Sequence, residues 1–307
     1  MVKPALAAAR SLQVLNFLSV HPGQAFSLKE ISRACGLNAA SLLAIMTALV
    51  DGGYVLRHPS HKTYTIAPGV IALGRAALIE HPEIGAAEVE LELLAGELEV
   101  QCSAAVLMGP DIVPIVTSGR PRSVETWTHT AARVPFVAPF GAPFAAFGTE
   151  ALRDQWMQRS SRPVGDPHLE LLERELTLVR EFGFAVLRQV PFFDMGMLLQ
   201  ELVEEPASQR AKARLAEVVE RFSDQFLDLD AASSESHHVG IITVPVFSPI
   251  GDVVMSVTAN GFRDPLTSGQ IMEVGGRLRA GAGAITIGAY GSLGSGQVNG
   301  ASRRRSD

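Results

Sequence analysis

Residues 27–55 have the sequence SLKEISRACGLNAASLLAIMTALVDGGYV, which predicts two short helices joined by a glycine turn and followed by a strand. Ser27 lies three residues before Glu30, the capping-box spacing in which each side chain bonds a free backbone N–H at the helix start. Gly36 suits the turn, because the left-handed backbone conformation is strained for residues that carry a Cβ. Asn38 is a favoured N-cap for the second helix. The pattern therefore predicts a helix-turn-helix.

The second helix is predicted to bury one stripe and expose the other. Its large apolar residues follow the i, i+3, i+4, i+7 spacing that places side chains on one face: Leu42, Ile45, Met46 and Leu49. The opposite face carries small or apolar residues: Ala39, Ala40, Leu43, Ala44 and Thr47. We expect this second set to face outward.

A two-stranded wing is predicted after the helices. Residues 54–57 and 63–66 have the composition of short strands, and residues 58–62, HPSHK, form the polar turn between them. A basic turn that contains histidine suits contact with phosphate. We expect phosphate contacts from the wing and from the start of the second helix: Arg57, His58, His61, Lys62 and Ser41.

Residues 5–18 (ALAAARSLQVLNFL), the helix-turn-helix and residues 54–74 (YVLRHPSHKTYTIAPGVIALG) resemble the DNA-binding domain of IclR-type transcriptional regulators. The resemblance covers about the first 80 residues in order and spacing. It implies a homodimeric or tetrameric regulator that binds double-stranded DNA and carries an effector-binding C-terminal domain. The DNA-binding residues that it implies are Asn38, Ala39, Ala40, Ser41, Leu43, Ala44, Thr47, Arg57, His58, His61 and Lys62.

The outward face of the second helix departs from the family pattern. Family members usually carry a polar pair followed by an arginine, and the position of that arginine is Ala44 here. Arg, Lys, Asn and Gln supply base-edge hydrogen bonds, each good bidentate pair being worth roughly 1–3 kcal/mol of discrimination. Thymine methyl contacts, together with Asn38, Ser41 and Thr47, would have to suffice. Alternatively, the protein is a sensor or interaction protein that keeps the winged fold without specific DNA binding.

Composition and charge favour a basic head on an acidic body. The chain has 307 residues and 47% hydrophobic content, which allows a large core and two domains. Residues 1–80 hold seven Lys/Arg and three Asp/Glu, a net charge of +4, whereas the remainder holds 19 and 29, a net charge of −10. This split fits DNA binding confined to the head. Four net positive charges per head give a modest phosphate term, so a dimer is expected to be needed.

Residues 83–290 predict an α+β domain, because strands and helices alternate without regular βαβ repetition. Three segments are similar to the GAF-like effector domain of the IclR family: residues 132–147, 172–186 and 242–262. The fold class expected is thus an N-terminal winged helix-turn-helix followed by a GAF-like antiparallel sheet flanked by helices. We place the domain boundaries at 1–80, including a linker helix at 68–78, and at 83–290, followed by a Gly/Ser-rich flexible tail at 291–307.

The effector site implied by the resemblance lies between the sheet and the segment 139–144. Ser256 and Thr258 match the paired small hydroxyl residues of the family's last strand. Gly141 matches a glycine whose neighbouring N–H groups can receive an anion, but Ala142 replaces a frequent lysine and Pro143 follows. An aromatic lining that includes Phe144 favours an apolar or aromatic effector, although each aromatic could equally be core. The effector-binding residues expected are Trp127, Phe136, Pro139, Phe140, Gly141, Ile241, Ser256 and Thr258.

A helical insertion is predicted at about 191–238, where family members usually have a short acidic loop. Its amphipathic helices would cover the pocket, extend a dimer interface or thicken the domain. The apolar linker helix at 68–78 is expected to pack against a second copy of the chain. Dimer and tetramer both stay open.

Several other classes of function are disfavoured. Cys35 and Cys102 are expected to be buried thiols, and the adjacent pair His237-His238 would point to opposite faces of a strand, so we expect no metal or other cofactor. No catalytic motif such as G-x-S-x-G is present, which argues against an enzyme. The most apolar stretch, 134–147, is too short and proline-rich to span a bilayer, so we expect a cytoplasmic protein without a membrane partner.

Overall fold

The computed structural model describes residues 5–119, 133–159, 167–189 and 235–291, together with 198, 201, 208–210, 213–214 and 217 from the segment between the last two ranges. Trp127, His129, most of the predicted insertion and the predicted tail after residue 291 lie outside the described residues. Helices and strands are numbered below in chain order within the described part.

The N-terminal region contains the predicted helix-turn-helix and wing. Its helices are α1 (Leu6–Ser19), α2 (Leu28–Cys35) and α3 (Ala39–Asp51), and its strands are β1 (Phe26–Ser27), β2 (Val55–Arg57) and β3 (Thr63–Ile66). The strands form an antiparallel sheet in the order β1-β3-β2. The two longer strands were predicted, whereas β1 was not, because two residues carry no alternation pattern.

Local sequence explains the geometry of α2 and α3. The Ser27 backbone N–H donates to Glu30 Oε2 at 2.7 Å, and Ser27 Oγ accepts from the Glu30 backbone N–H, which completes the capping box. The backbone hydrogen bond from Ser27 lowers the pKa of Glu30. Gly36 has φ 63°, the left-handed conformation expected of the turn. Asn38 Oδ1 accepts from the Ser41 backbone N–H at 2.9 Å and caps α3.

One compact core holds the head together. The predicted inner stripe of α3 is buried in it, and Leu37 fills the angle between α2 and α3. Burial of such side chains stabilises the fold by about 1.5–3 kcal/mol each. The buried members are Val14, Phe17, Leu18, Ile31, Ala34, Cys35, Leu37, Leu42, Ile45, Met46, Leu49, Val55 and Tyr64.

Helix α4 (Gly69–Glu80) follows the wing and has no buried residue. It carries large apolar side chains that face outward, among them Ile71, Leu73 and Ile79, the last 79% exposed. It leads directly into α5 (Pro82–Leu98), which begins with Pro82. An exposed apolar helix of this kind is the feature that the sequence predicted for a linker helix.

The body is built on a six-stranded antiparallel sheet, as the α+β prediction required. Its strands are β4 (Gln101–Met108), β5 (Asp111–Ser118), β6 (Val134–Pro135), β7 (Ala185–Arg188), β9 (Val239–Phe247) and β10 (Val253–Asn260), in the order β6-β5-β4-β10-β9-β7. Two short strands, β8 (Ser236–His237) and β11 (Leu266–Thr267), form a separate antiparallel pair. Strands β6, β8 and β11 have two residues each and were not predicted.

Helices cover both faces of this sheet and bury two cores. Helices α5 and α9 (Ser268–Tyr290) pack on one face, where Leu91, Val257 and Leu278 are fully buried. Helices α6 (Ala142–Phe147), α7 (Glu150–Gln158) and α8 (Pro167–Phe182) pack on the other face, around Trp156 and Leu172. The alternation of side chains along each strand supplies both cores.

Both cysteines are buried free thiols, as expected. Desolvation raises the pKa of Cys35 to about 11 and that of Cys102 to about 12. Since the thiolate is the reactive form, burial and the raised pKa values both disfavour reaction of these thiols at neutral pH.

A polar contact joins the end of α9 to the start of α5. The Tyr290 hydroxyl donates to Glu83 Oε2 at 2.7 Å, and His81 Nδ1 lies 3.1 Å from Glu83 Oε1. Desolvation first, and then the hydrogen bond to Glu83, raises the pKa of Tyr290 from 10 to about 12. The folded state therefore keeps the phenol protonated at a pH where the unfolded chain ionises.

Tyr290→Phe should lower the free energy of unfolding by about 1 kcal/mol at pH 7, since the variant cannot make this partly buried hydrogen bond. The raised pKa contributes stability that is fully present below pH 10 and is lost as the pH rises to about 12. Tyr290→Phe should not show this part of the decrease in unfolding free energy at alkaline pH. Urea unfolding between pH 10 and about pH 12 measures the difference. Tyr54→Phe removes a phenol that has no hydrogen bond to the described residues and serves as the control. If the free energy of unfolding decreased equally with pH in Tyr290→Phe and in the natural protein, the stabilising role assigned to the Tyr290 hydroxyl would be contradicted.

Candidate functional site

The outer face of α3 is open to solvent. All five residues predicted to face outward are exposed, and Leu43 is 52% exposed. Ser41, at the start of the helix, is half-buried. The helix thus presents a surface of methyl groups and one leucine side chain.

The polar groups at this face are largely used within the helix. Asn38 Oδ1 accepts the capping hydrogen bond from the Ser41 N–H, which leaves the amide Nδ2 as a donor. The Thr47 hydroxyl donates to the Leu43 carbonyl at 2.9 Å. Few hydrogen-bonding groups are therefore available on α3 to a molecule that docks there.

The wing tip gathers the predicted phosphate-contacting residues. Arg57, His58, His61 and Lys62 are all exposed. The His61 backbone N–H donates to His58 Nδ1 at 3.2 Å, and the two imidazole rings lie 4.5 Å apart between centroids. The Lys62 backbone N–H donates to the His58 carbonyl, and Lys62 has φ 53°. These contacts hold a cationic turn at the tip of the wing.

A cavity lies between the body sheet and the segment that precedes α6. Its volume is about 60 Å³, and it opens in part to solvent. Six of the residues predicted to bind the effector line it, namely Pro139, Phe140, Gly141, Ile241, Ser256 and Thr258, and the structure adds Ser103, Ala105, Ile112, Pro114, Val134, Leu187 and Thr243.

Phe136 and Phe144, which the sequence analysis placed among the effector-binding aromatics, are not among the residues that line the cavity. Both side chains are buried in the core, with ring centroids 6.5 Å apart in an edge-to-face arrangement. Gly141 has φ 76°, and a Cβ there would lie 2.7 Å from Phe136 Cδ2. The Phe136 ring thus packs closely against the Gly141 turn. Trp127 lies outside the described residues.

Hydroxyl groups form a row across the sheet on the cavity side. Ser103 pairs with Thr117 on β5 and with Thr258 on β10, and Thr258 pairs with Thr243 on β9. The Thr258 hydroxyl donates to Thr243 Oγ1 at 3.0 Å. Thr117 Oγ1 is buried and has no hydrogen-bond partner among the described residues. Ser256 lies on the same side of β10, two residues from Thr258.

The sequence identified only part of this row. Ser256 and Thr258 were predicted from the family resemblance, whereas Ser103 and Thr243 were missed. Ser103 and Thr243 each lie at an alternating position of a predicted strand, which is the sequence signal for a shared face of the sheet. The order and register of the strands were also needed to align them with Thr258. Among the described residues that line the cavity, none is charged.

Side chains from α7 and its end hold the cavity wall in place. Trp156 is fully buried and its Nε1–H donates to the Phe140 carbonyl at 2.7 Å. Arg159 Nη1 donates to the Pro110 carbonyl at 2.8 Å and to the Phe136 carbonyl at 3.2 Å. Pro143 stands in the first turn of α6 and has no N–H to offer an anion. The wall therefore presents an apolar surface with few free N–H groups.

Neither a metal cluster nor a single membrane-spanning helix is found in the described part of the chain. No group of three or more His, Cys, Asp or Glu among the described residues is placed to hold a metal ion. No single described helix is long and apolar enough to cross a membrane. The pair α2 and α3 is long and apolar enough when the two helices are taken together, although they meet at 112°.

Known proteins resemble this chain in sequence at the head and in fold over nearly all of its length. Residues 7–59 match the model of the IclR helix-turn-helix domain. No curated protein matches the sequence. Because the family model and the solved structures agree, the resemblance and fold class predicted from the sequence are confirmed.

Three solved structures illustrate the likeness in fold. An IclR transcriptional regulator from Alicyclobacillus acidocaldarius has a TM-score of 0.63 at 18% identity, covering 94% of this chain and 100% of that one. An IclR homologue from Microbacterium hydrocarbonoxydans, complexed with 4-hydroxybenzoate, has a TM-score of 0.62 at 16% identity, covering 93% and 100%. IclR from Thermotoga maritima has a TM-score of 0.54 at 19% identity, covering 93% and 98%.

Proposed function

From the IclR helix-turn-helix at residues 7–59 and the IclR-regulator fold of the whole chain, we propose that this protein is a ligand-responsive transcriptional regulator that binds operator DNA as a dimer. The observation that carries the proposal is the exposed outer face of α3, which belongs to the same domain as the cationic wing tip. A helix of a helix-turn-helix that is free on its outer face can enter the major groove, while the wing contacts phosphates. The DNA-contacting residues proposed are those predicted from the sequence.

Dimerisation is proposed through α4. Its outward apolar side chains, with Ile71, Leu73 and Ile79 more than half exposed, are the kind of surface that a second copy would cover. A dimer places two heads on two half-sites and doubles the phosphate contacts. A measurement of the mass in solution distinguishes a dimer from a tetramer.

The domain limits of the proposal follow the sequence-based division. We assign residues 1–80 to DNA binding and linkage, and 83–290 to the effector domain with an insertion at about 191–238. Residues 291–307 are assigned to a tail that follows the effector domain. A cytoplasmic location and the lack of enzymatic activity follow from this role.

The effector is proposed to occupy the cavity beside Phe140 and Gly141. Apolar side chains make up most of its lining, and the hydroxyls of Ser103, Thr243, Ser256 and Thr258 are the polar side-chain groups of that lining. A small apolar or aromatic molecule that carries one or two hydrogen-bonding groups suits such a lining. The 4-hydroxybenzoate complex of the related fold supports a ligand of this size class.

Regulation would arise from a shift between arrangements of the two heads. An effector changes DNA affinity only if it binds one arrangement more tightly than the other. A tenfold change in operator affinity requires about 1.4 kcal/mol of differential effector binding. Activator and repressor are both compatible with this scheme.

The first test is fluorescence anisotropy of the purified protein with DNA from upstream of its own gene, titrated with salt and an excess of unrelated duplex. Saturable binding that survives the competitor supports the proposal, and disappearance of the signal then serves to screen small aromatic molecules as effectors. Binding that disappears with competitor or with modest salt contradicts it.

Replacing Arg57 or Lys62 with Ala should weaken binding to every DNA sequence. Each phosphate contact contributes about 0.9 to the slope of log K against log salt, so removing one such contact from each head should flatten the slope by about 2. Anisotropy titrations at salt concentrations from about 50 mM to about 200 mM measure this change in slope. Arg263→Ala removes an exposed cation from the body and should leave the slope unchanged. Equal slopes for the wing variants and this control would contradict the wing assignment.

A second candidate function is a sensor or protein-interaction protein that keeps the winged fold without specific DNA contact. The absence of charged and amide side chains among the five outward residues of α3 favours it. Under this alternative the cavity still binds its ligand, but the anisotropy signal responds equally to unrelated duplex. The competitor titration therefore separates the two functions.

A further inference from the structure

The recognition surface of α3 is unusual in its chemistry. Leu43 is 52% exposed and is flanked by Ala40 and Ala44, both exposed, with Thr47 one turn further on. The Thr47 hydroxyl donates to the Leu43 carbonyl, so the contribution of Thr47 to an outside contact is chiefly its methyl group. The surface consists of aliphatic carbon over about two turns.

Hydrogen-bonding groups near this surface are few and are placed at one end. Asn38 is committed to the cap through Oδ1, which leaves its Nδ2 donor at the start of the helix. Ser41 is half-buried. The cap turns Asn38 Oδ1 toward the Ser41 N–H, so the Asn38 amide is oriented by the helix start and is not free to form the paired donor and acceptor contact by which asparagine reads adenine.

DNA offers one aliphatic feature in the major groove, the C5 methyl group of thymine. Alanine, leucine and the methyl of threonine are side chains that contact it favourably, because both partners leave water. Polar base edges gain nothing from such a surface and are stripped of their water, so cytosine and guanine opposite Leu43 are disfavoured.

DNA is the occupant that the surrounding charge favours. The described part of the head carries six Lys/Arg against three Asp/Glu, and one of those acids, Glu30, is held in the capping box. The cationic wing tip lies in the same domain and supplies sequence-independent affinity. A polyanion with methyl groups in its groove matches both the charge and the apolar surface.

We propose that the α3 surface formed by Ala40, Leu43, Ala44 and Thr47 selects operator sequence by contact with thymine methyl groups. This rests on the proposed function, since it presupposes that the head binds DNA. Operators should therefore contain thymines at fixed positions in each half-site. Asn38 and the wing set the register on the phosphates, and the thymine methyls set the sequence.

The test begins with selection of duplexes from a random library by the full-length protein, followed by anisotropy on the selected sequence. Each fixed thymine is then replaced by deoxyuridine, which removes only the C5 methyl and keeps the Watson–Crick pair. Burying one methyl is worth roughly a fourfold change in affinity, so two symmetric replacements should weaken binding roughly 10- to 20-fold.

Leu43→Ala supplies the protein side of the test. This variant should reduce the ratio between thymine and deoxyuridine affinities, because it removes the side chain that touches the methyl. Leu93→Ala, at a leucine of α5 that is 57% exposed, is the matched control and should keep the ratio.

The outcomes separate this inference from the proposed function. If selection yields no preferred sequence, DNA-specific regulation itself fails. If a preferred sequence emerges but deoxyuridine binds as well as thymine, the regulator stands and methyl recognition is overturned. If the ratio between thymine and deoxyuridine affinities is unchanged in Leu43→Ala, methyl recognition by α3 is also overturned, because Leu43 then does not contact the methyl group.

Discussion

An Ala44→Glu variant should bind its operator about a hundredfold or more weakly while remaining folded. Ala44 lies on the exposed face of α3, so a glutamate there would project a negative charge toward the phosphate-lined groove. Like charges brought together at an interface cost several kcal/mol, and each dimer carries the change twice. A decrease of about 2.8 kcal/mol in binding free energy already corresponds to a hundredfold.

The measurement is anisotropy on the operator, with thermal unfolding and circular dichroism to verify the fold. Ala280→Glu is the matched control, because Ala280 is exposed on α9 in the body and the charge added is the same. That control should bind DNA within about twofold of the natural protein, as expected for a charge far from the interface. Operator binding by Ala44→Glu at normal affinity would remove α3 from the DNA interface and favour the sensor or interaction function.

Sequence patterns predicted the head almost completely because its structure is decided locally. The capping box, the Gly36 turn and the Asn38 cap act over three or four residues, and the i, i+3, i+4, i+7 stripe of α3 places its buried face. Strand β1 escaped prediction since its two residues pair with β3 only through the tertiary fold.

The cavity was predicted in part, for a physical reason that its residues make clear. Pro139, Phe140 and Gly141 are adjacent in sequence, and Ser256 and Thr258 share one strand, so a local resemblance could identify them. Ser103 and Thr243 reach the cavity only through the register of β4 and β9 with β10. Phe136 is not among the residues that line the cavity, and its ring packs against the turn at Gly141, a tertiary contact that a sequence pattern does not specify.

The second large effect concerns Trp156, the residue on which the cavity wall rests. Trp156 is fully buried among the helices on the cavity side of the sheet, and its indole donates to the carbonyl of Phe140, which lines the cavity. Trp156→Ala should lower the free energy of unfolding by about 3–5 kcal/mol, since a large buried ring is replaced by a void. Urea unfolding followed by circular dichroism measures the decrease.

Trp156→Phe separates the effect of losing the hydrogen bond on stability from the effect of losing side-chain volume. It keeps an aromatic ring but has no N–H for the Phe140 carbonyl, so the expected decrease is smaller, about 1–2 kcal/mol. Gln155→Ala, at an exposed position of the same helix, should change stability by less than about 0.5 kcal/mol. If Trp156→Ala were as stable as Gln155→Ala, the indole would not support the wall. Effector affinity should fall in Trp156→Phe, because the hydrogen bond from the indole to the Phe140 carbonyl is missing, while operator binding by the head should persist.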